Sequence, residues 1–201
     1  VEELQRFREL AGSLKTSTDS KIDLAKEFLE AQIAERVKLV EQSLGATPMG
    51  DLFVVARGGS PRPIKSFLTQ EADGVNWVKI GDATRTGKYV TSTTQKIKPS
   101  GVSRSRRVKS GDLLLSNSMS FGRPYIMQTD GCIHDGWVVL TAKREIDSEY
   151  AYYVLGSSYM KSQFESLAQG STVRNLNIDL ISRSVMPVPV LEEQLRLVQE
   201  F

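Results

Sequence analysis

The sequence is poor in the residues that build catalytic and metal centres. It holds one cysteine and one histidine in 201 residues, which excludes an internal disulfide framework, and no CxxC, HExxH or His/Cys cluster offers metal-ligand spacing. Neither a metal nor a cofactor is expected. Nowhere is there an apolar run of about 18 residues, the length a membrane-spanning helix needs. The opening VEELQRFREL is charged where a secretory signal would be apolar. These absences predict a soluble protein of a reducing, cytoplasmic compartment. P-loop, GxGxxG and GxSxG patterns are missing as well, and no carboxylate cluster resembles a nuclease site.

The two rare residues fall together in TDGCIHDGW, 129–137, which raises the question of a thiol nucleophile. A Cys/His pair needs its reacting atoms about 3 Å apart, with a third group orienting the base. In extended chain, Cys132 and His134 point to one face but stand about 6.6 Å apart with parallel side chains, and Asp135 faces the other way. A small buried cysteine is the better expectation. An enzyme using Cys132 and His134 is kept only as a remote alternative. Trp77 and Trp137 are expected in the core.

Charge of one sign is not scarce, although the net charge of +2 suggests it. Residues 57–109 carry 12 Lys and Arg against three acids, Glu71, Asp73 and Asp82, while acids outnumber bases on both sides of that block. A basic block inside a near-neutral chain is the footprint of a protein that meets polyphosphate, or else a solvated basic face.

The first 45 residues read as a helical arm in two pieces. Leu4, Phe7, Ala11 and Leu14 form one stripe, Gly12, Ser13 and the TSTDS run interrupt it, and Ile22, Ala25, Leu29, Ile33, Val37, Val40 and Leu44 form a second. The second piece, about 36 Å long, is a strut suited to packing against another long helix. From Met49 the texture is β-rich. Strands are predicted at 51–56, 77–80, 88–90, 112–116, 124–128 and 137–142, joined by the long basic loops GGSPRPIKSF and KPSGVSRSRRVKSGD. A helix is predicted over 148–167, then a polar loop, a short IDLI turn, the extended SVMPVPV and a new helix at LEEQLRLVQEF. The fold class is α+β, with a helical arm at 1–45, a β-rich domain at 46–189 and the start of a second helix at 190–201. The C-terminal LEEQLRLVQEF would run on in style into VEELQRFREL, as one period of a repeat does.

An ordered set of short motifs runs through the chain: WVKIGD (77–82), GDLLLS (111–116), SFGRP (120–124), CIHDGW (132–137), YAYYVL (150–155), GSTVRNLN (170–177) and PVPVLEEQ (187–194). As a set it resembles the specificity subunits of type I restriction-modification systems. That resemblance implies a target recognition domain on long helices that form an antiparallel coiled coil. It also implies no chemistry in the chain itself. The implied partners are double-stranded DNA, DNA methyltransferase subunits, and endonuclease/translocase subunits, in a bacterial or archaeal cytoplasm. Family members carry two recognition domains in tandem, each reading half of a bipartite site, with the helices setting the gap. This sequence holds one, so it is either a half subunit that dimerises through its helices or half of a tandem protein. A fused restriction-methylation enzyme and a stand-alone DNA-binding module are the alternatives.

The resemblance and the basic block together nominate contacts. Arg57, Ser60, Arg62, Lys65, Arg104, Arg106, Arg107 and Lys109 are expected on the DNA face, from the loops around GGSPRP and SRSRRVKSG. Ser118, Ser120 and Arg123 come from the loop after GDLLLS. Thr172, Arg174 and Asn175 are either contacts or the ties that hold the domain onto its helix. His134 is either a solvent-facing bystander or a side chain particular to this protein's DNA surface.

Overall fold

The computed structural model describes residues 2–117, 122–168 and 177–201. Its first element is one uninterrupted helix, α1 (Glu2–Leu44), where the sequence predicted two. Gly12 and the Ser/Thr run lower helix propensity by no more than about 1 kcal/mol per residue. No proline is present in the stretch to delete a hydrogen bond. Gly45, at φ +76°, ends the helix, and its N–H donates to the Glu41 carbonyl at 2.7 Å.

A two-residue strand β1 (Thr47–Pro48) and a single turn α2 (Met49–Leu52) lead into β2 (Phe53–Arg57). The basic segment follows, with β3 (Leu68–Thr69), β4 (Val75–Val78), α3 (Ile80–Thr86), β5 (Tyr89–Val90), β6 (Gln95–Ile97) and β7 (Arg106–Val108). Next come β8 (Leu113–Ser116), β9 (Pro124–Met127), β10 (Gly131–Ile133) and β11 (Trp137–Ala142). The chain then turns helical through α4 (Ser148–Gly156), α5 (Ser158–Ala168) and α6 (Ile178–Arg183), with β12 (Val185–Met186) before α7 (Leu191–Glu200).

The predicted strands are present, 137–142 with the bounds predicted and the others with shifted ends. WVKI is the largest shift: its strand covers 75–78, and Ile80 already opens α3 because the buried Asp82 carboxylate reaches back to the Lys79 N–H at 3.0 Å. The loop expected at SRSRRVKSG contains β7, paired antiparallel with β10. The helix expected over 148–167 is two, meeting at Ser157, whose N–H and hydroxyl both donate to the Val154 carbonyl. IDLI is the start of α6, capped by the Asn177 side chain, which accepts from the Leu180 N–H at 2.7 Å.

Two five-stranded sheets form the body, ordered β2-β11-β8-β9-β5 and β3-β6-β4-β10-β7. Leu113, Leu115, Ile126, Val138 and Leu140 face the helices, in one core with Ile33 and Val37 of α1, Tyr150, Leu155, Phe164 and Leu197. The alternate residues Leu114, Tyr125, Met127, Trp137 and Val139 face the second sheet and meet Val78, Val108 and Ile133. The first sheet is thus covered on both faces, which is why its central strands are continuous apolar runs. Both tryptophans are in the core as expected, and the Trp137 Nε1–H donates to the Val78 carbonyl at 3.2 Å, pinning one sheet to the other.

GDLLLS, YAYYVL and PVPVLEEQ supply fasteners. Gly111, at φ +93°, turns the chain so that Asp112 accepts from the Lys109 N–H and the Thr141 hydroxyl, both at 2.8 Å. The buried Gln194 of LEEQ accepts from the Asp147 N–H and donates to the Pro189 carbonyl, both at 2.8 Å, while the Tyr150 hydroxyl donates to the Pro187 carbonyl. These bonds clasp α4 to α7.

Candidate nucleic-acid interface

At the end of β2, Arg57 pairs with Val138 of β11, and the chain then crosses from the first sheet to the second. The Gly58 N–H donates to the Trp137 carbonyl at 2.9 Å and the Gly59 N–H to the Ile133 carbonyl at 3.1 Å. A Cβ at Gly58 would lie 1.9 Å from the His134 carbonyl oxygen, and one at Gly59 3.0 Å from that of Arg104. Only glycine lets this loop lie flat against both segments.

Past the two glycines, the polar groups converge on Asp135. The Ser60 hydroxyl donates to its Oδ1 at 2.7 Å, Arg62 Nη2 stands 3.4 Å from its Oδ2, and Arg57 Nε donates to its carbonyl at 3.1 Å. The hydrogen bond from Ser60 is the main reason its carboxyl sits below the usual range, with Arg62 adding to it. Arg106 Nε donates to the Arg57 carbonyl at 3.4 Å, and Ser105 Oγ donates to that of Ile133 at 3.1 Å. So Arg57, Ser60 and Arg62 of one loop meet Arg106 and Asp135, which are distant in sequence, in one patch.

Beside this patch lies an open cleft of about 1140 Å³, with apolar walls from Pro61, Pro63, Ile64, Leu68, Trp77 and Ile80. Lys65 and Lys79 line it together with Arg62, Gln95 and His134. Arg104 closes the short helical turn Pro99–Arg104 and stacks its guanidinium over the Phe67 ring at 5.4 Å. Arg107 and Lys109 line a second, smaller concavity of about 430 Å³ at the start of β4 and β10, with Lys96, Asn76 and Asp130. Arg57, Arg62, Lys65 and Arg106 therefore lie toward the end of the second sheet where β4 and β10 finish, with Arg57, Arg62 and Arg106 held by hydrogen bonds to backbone or to Asp135, while Arg107 and Lys109 lie toward the opposite end.

His134 is half-buried beneath this loop. Its Nδ1 accepts from the Gly136 N–H at 2.8 Å, and Asp135 Oδ1 is 3.6 Å away. Burial lowers its basicity, against a weaker opposing pull from Asp135. Cys132 is fully buried among Trp77, Ile97 and Val102, and burial pushes its thiol up, away from the thiolate a nucleophile needs.

Arg123 does not join the group. It stacks over Tyr125 at 5.3 Å and lines a groove against α1 with Lys26, Lys161 and Tyr152. Ser118, Ser120, Thr172, Arg174 and Asn175 lie outside the described residues. Sequence reasoning missed Asp135 as the hub, because a lone acid next to a turn glycine reads as turn chemistry. It also passed over Lys79, Lys96 and Gln95. The two lysines lie inside the counted basic block, but only strand register brings Lys96 beside Asn76.

Residues 47–199 match the family model described as type I restriction modification DNA specificity domain. Among solved structures the chain is similar to the HsdS subunit from Thermoanaerobacter tengcongensis, at 18% identity and a TM-score of 0.60 over 96% of this chain and 49% of that one. It is similar to the Type-I restriction-modification system S subunit from M. genitalium, at 15% identity and a TM-score of 0.61 over 90% of this chain and 47% of that one. A third likeness, at 10% identity and a TM-score of 0.57, is to the type IIG restriction endonuclease BpuSI, over 84% of this chain and 28% of that one. At these identities the likeness is one of fold, and the chain spans about half the length of the two specificity subunits it matches.

Proposed function

The chain belongs to the type I restriction modification DNA specificity domain family, and from that premise we propose that it recognises duplex DNA through the basic face around Asp135. The observation that carries the reading is the convergence of Arg57, Arg62 and Arg106 on a single loop junction, with Arg104 and Lys65 beside them. Phosphates supply the affinity there, and the arginines and Ser60 fix the register of the duplex. The globular body at 46–189 reads one half of a bipartite site, and the arm at 1–45 spaces it from a second reader. The chain carries no reaction of its own. Methyltransferase subunits dock along the helices, and endonuclease/translocase subunits join through them.

The test is binding of the full chain, with methyltransferase subunits present, to duplex DNA across a salt series. Replacing Arg104, Arg106 and Arg107 together by alanine should weaken binding and lower the slope of log affinity against log salt by up to about three, near one for each phosphate that is no longer neutralised. An unchanged affinity and slope removes this face from the interface. A fused restriction-methylation enzyme keeps the same DNA physics, and a methyltransferase encoded as a separate neighbouring chain decides against it.

A further inference from the structure

A carboxylate on a face that meets polyphosphate works against affinity, because the two like charges repel. Asp135 is such a group. Its side chain is 47% exposed, Arg57 and Arg62 are bonded to the residue, and Arg106 is bonded to Arg57. The fold around it is closed without the charge. Its turn is fixed by the Gly136 N–H on His134 Nδ1 and by the Trp137 N–H on the His134 carbonyl. The loop opposite is fastened backbone to backbone, Gly58 to Trp137 and Gly59 to Ile133.

What the carboxylate does hold is the segment that follows those glycines. Among the described residues, every hydrogen bond of Ser60, Pro61 and Arg62 runs to Asp135. Ser60 Oγ donates to Oδ1 at 2.7 Å, Arg62 Nη2 donates to Oδ2 at 3.4 Å, and the Asp135 N–H donates to Ser60 Oγ at 3.5 Å. Pro61 and Pro63 have no N–H with which to tether the segment otherwise. The bonds leave the arginines able to act. Arg57 uses only Nε on the Asp135 carbonyl and Arg62 only Nη2 on its carboxylate, and a guanidinium carries five donors. An arginine on an untethered loop finds a phosphate on any duplex, whereas one held in place engages a backbone of matching shape and register. We propose that Asp135 is a specificity-determining positioning residue: its carboxylate lowers affinity for DNA in general and, by holding Ser60 and Arg62 in one arrangement, separates the target from other sequences. The role rests on the DNA reading above and adds to it an acid whose charge opposes binding.

The test compares wild type, Asp135→Asn and Ser60→Ala, each as the full chain with methyltransferase subunits and each checked for folding by circular dichroism. Two duplexes are bound across a salt series, one enriched by wild type from a randomised library and one of shuffled sequence. Asp135→Asn should bind the shuffled duplex more tightly, with a slope of log affinity against log salt steeper by up to about one, as Arg62 turns to a phosphate. Its preference for the enriched duplex should fall about tenfold or more, the low end for loss of a hydrogen bond to a charged group. Ser60→Ala keeps the charge, so its preference should fall without any gain on the shuffled duplex. A preference unchanged in either variant overturns the positioning role and leaves the DNA reading standing, and so does weaker binding of the shuffled duplex by folded Asp135→Asn. Where Asp135→Asn does not fold, Ser60→Ala decides alone. A wild-type chain that enriches no motif overturns the DNA reading and the positioning role with it.

Discussion

A methyl group at Gly58 would meet the His134 backbone oxygen at 1.9 Å, and neither partner in that contact is the movable end of a side chain. Gly58→Ala must therefore lift the loop off the second sheet, which would loosen Ser60 and Arg62 from Asp135. We expect a loss of about 1–3 kcal/mol in urea unfolding and weaker DNA binding; a variant with unchanged stability would show that the loop is not packed as described. His134 carries a second residue-scale consequence. Burial disfavours its charged form, and protonation at Nδ1 would break the bond from Gly136, with Asp135 offsetting only part of that. The unfolded chain therefore takes up the proton near the ordinary value of about 6.5, before the folded protein does. Its contribution to stability is complete above about pH 6.5 and falls as pH drops through the window below, until the folded ring also protonates. An imidazole titration followed by NMR should give a midpoint below 6.5, and a midpoint above it would contradict the buried, neutral ring.

Elements add constraints that no single residue carries. If α1 is continuous, Ser20→Pro removes a backbone donor and clashes inside a helix, costing about 3 kcal/mol or more of helix stability and visibly lowering helicity by circular dichroism. If the arm were two helices broken over 12–20, proline there would be tolerated. In the same way, Gln194→Ala leaves the Asp147 N–H and Pro189 carbonyl without their buried partner, and should cost about 1–3 kcal/mol by thermal or urea unfolding, with α7 coming away from α4. These elements also show what could be read in advance. The central strands of the first sheet were legible because both faces are covered, so LLLS and WVVL are unbroken apolar runs. β7 and β10 are three residues each, and β7 is RRV with both arginines exposed, a strand by its pairing with β10 and not by its pattern. The basic face was legible as charge counted along the chain. Its hub was not, since Asp135, Ser60 and Arg62 meet only once the two sheets stack, and a sequence separation above 70 residues leaves no local signal.

For the whole molecule, the decisive feature is how far α1 outruns the body it packs on. The body first approaches α1 at the groove that Lys26 and Leu29 line with Arg123; Glu30 pairs with Lys161 at 2.8 Å, and burial starts at Ile33. Residues 2–25 thus project about 36 Å beyond it, with Leu24 on that part and Phe28 at its inner end each 67% exposed. An isolated helix of this composition is marginal in water, and exposed leucine and phenylalanine one turn apart add apolar surface that a second helix can bury. Among the described residues, the body comes near this stretch only at its inner end, where Lys26 and Leu29 line a groove with Arg123 and Tyr152. Our reading of the arm as half of an antiparallel pair therefore predicts that the full chain self-associates when no tandem partner domain is supplied. Sedimentation equilibrium should give a concentration-dependent dimer. Leu24→Glu with Phe28→Glu should shift it to monomer and lower helicity, while the near-ultraviolet signal of Trp77 and Trp137, both deep in the body, stays unchanged. Under the proposed DNA reading, association also sets the symmetry of the target, since two copies related by a two-fold axis present two identical basic faces and call for a palindromic bipartite site. A monomeric wild-type chain with full helicity over the arm would overturn the pairing, and the spacing role of the arm with it.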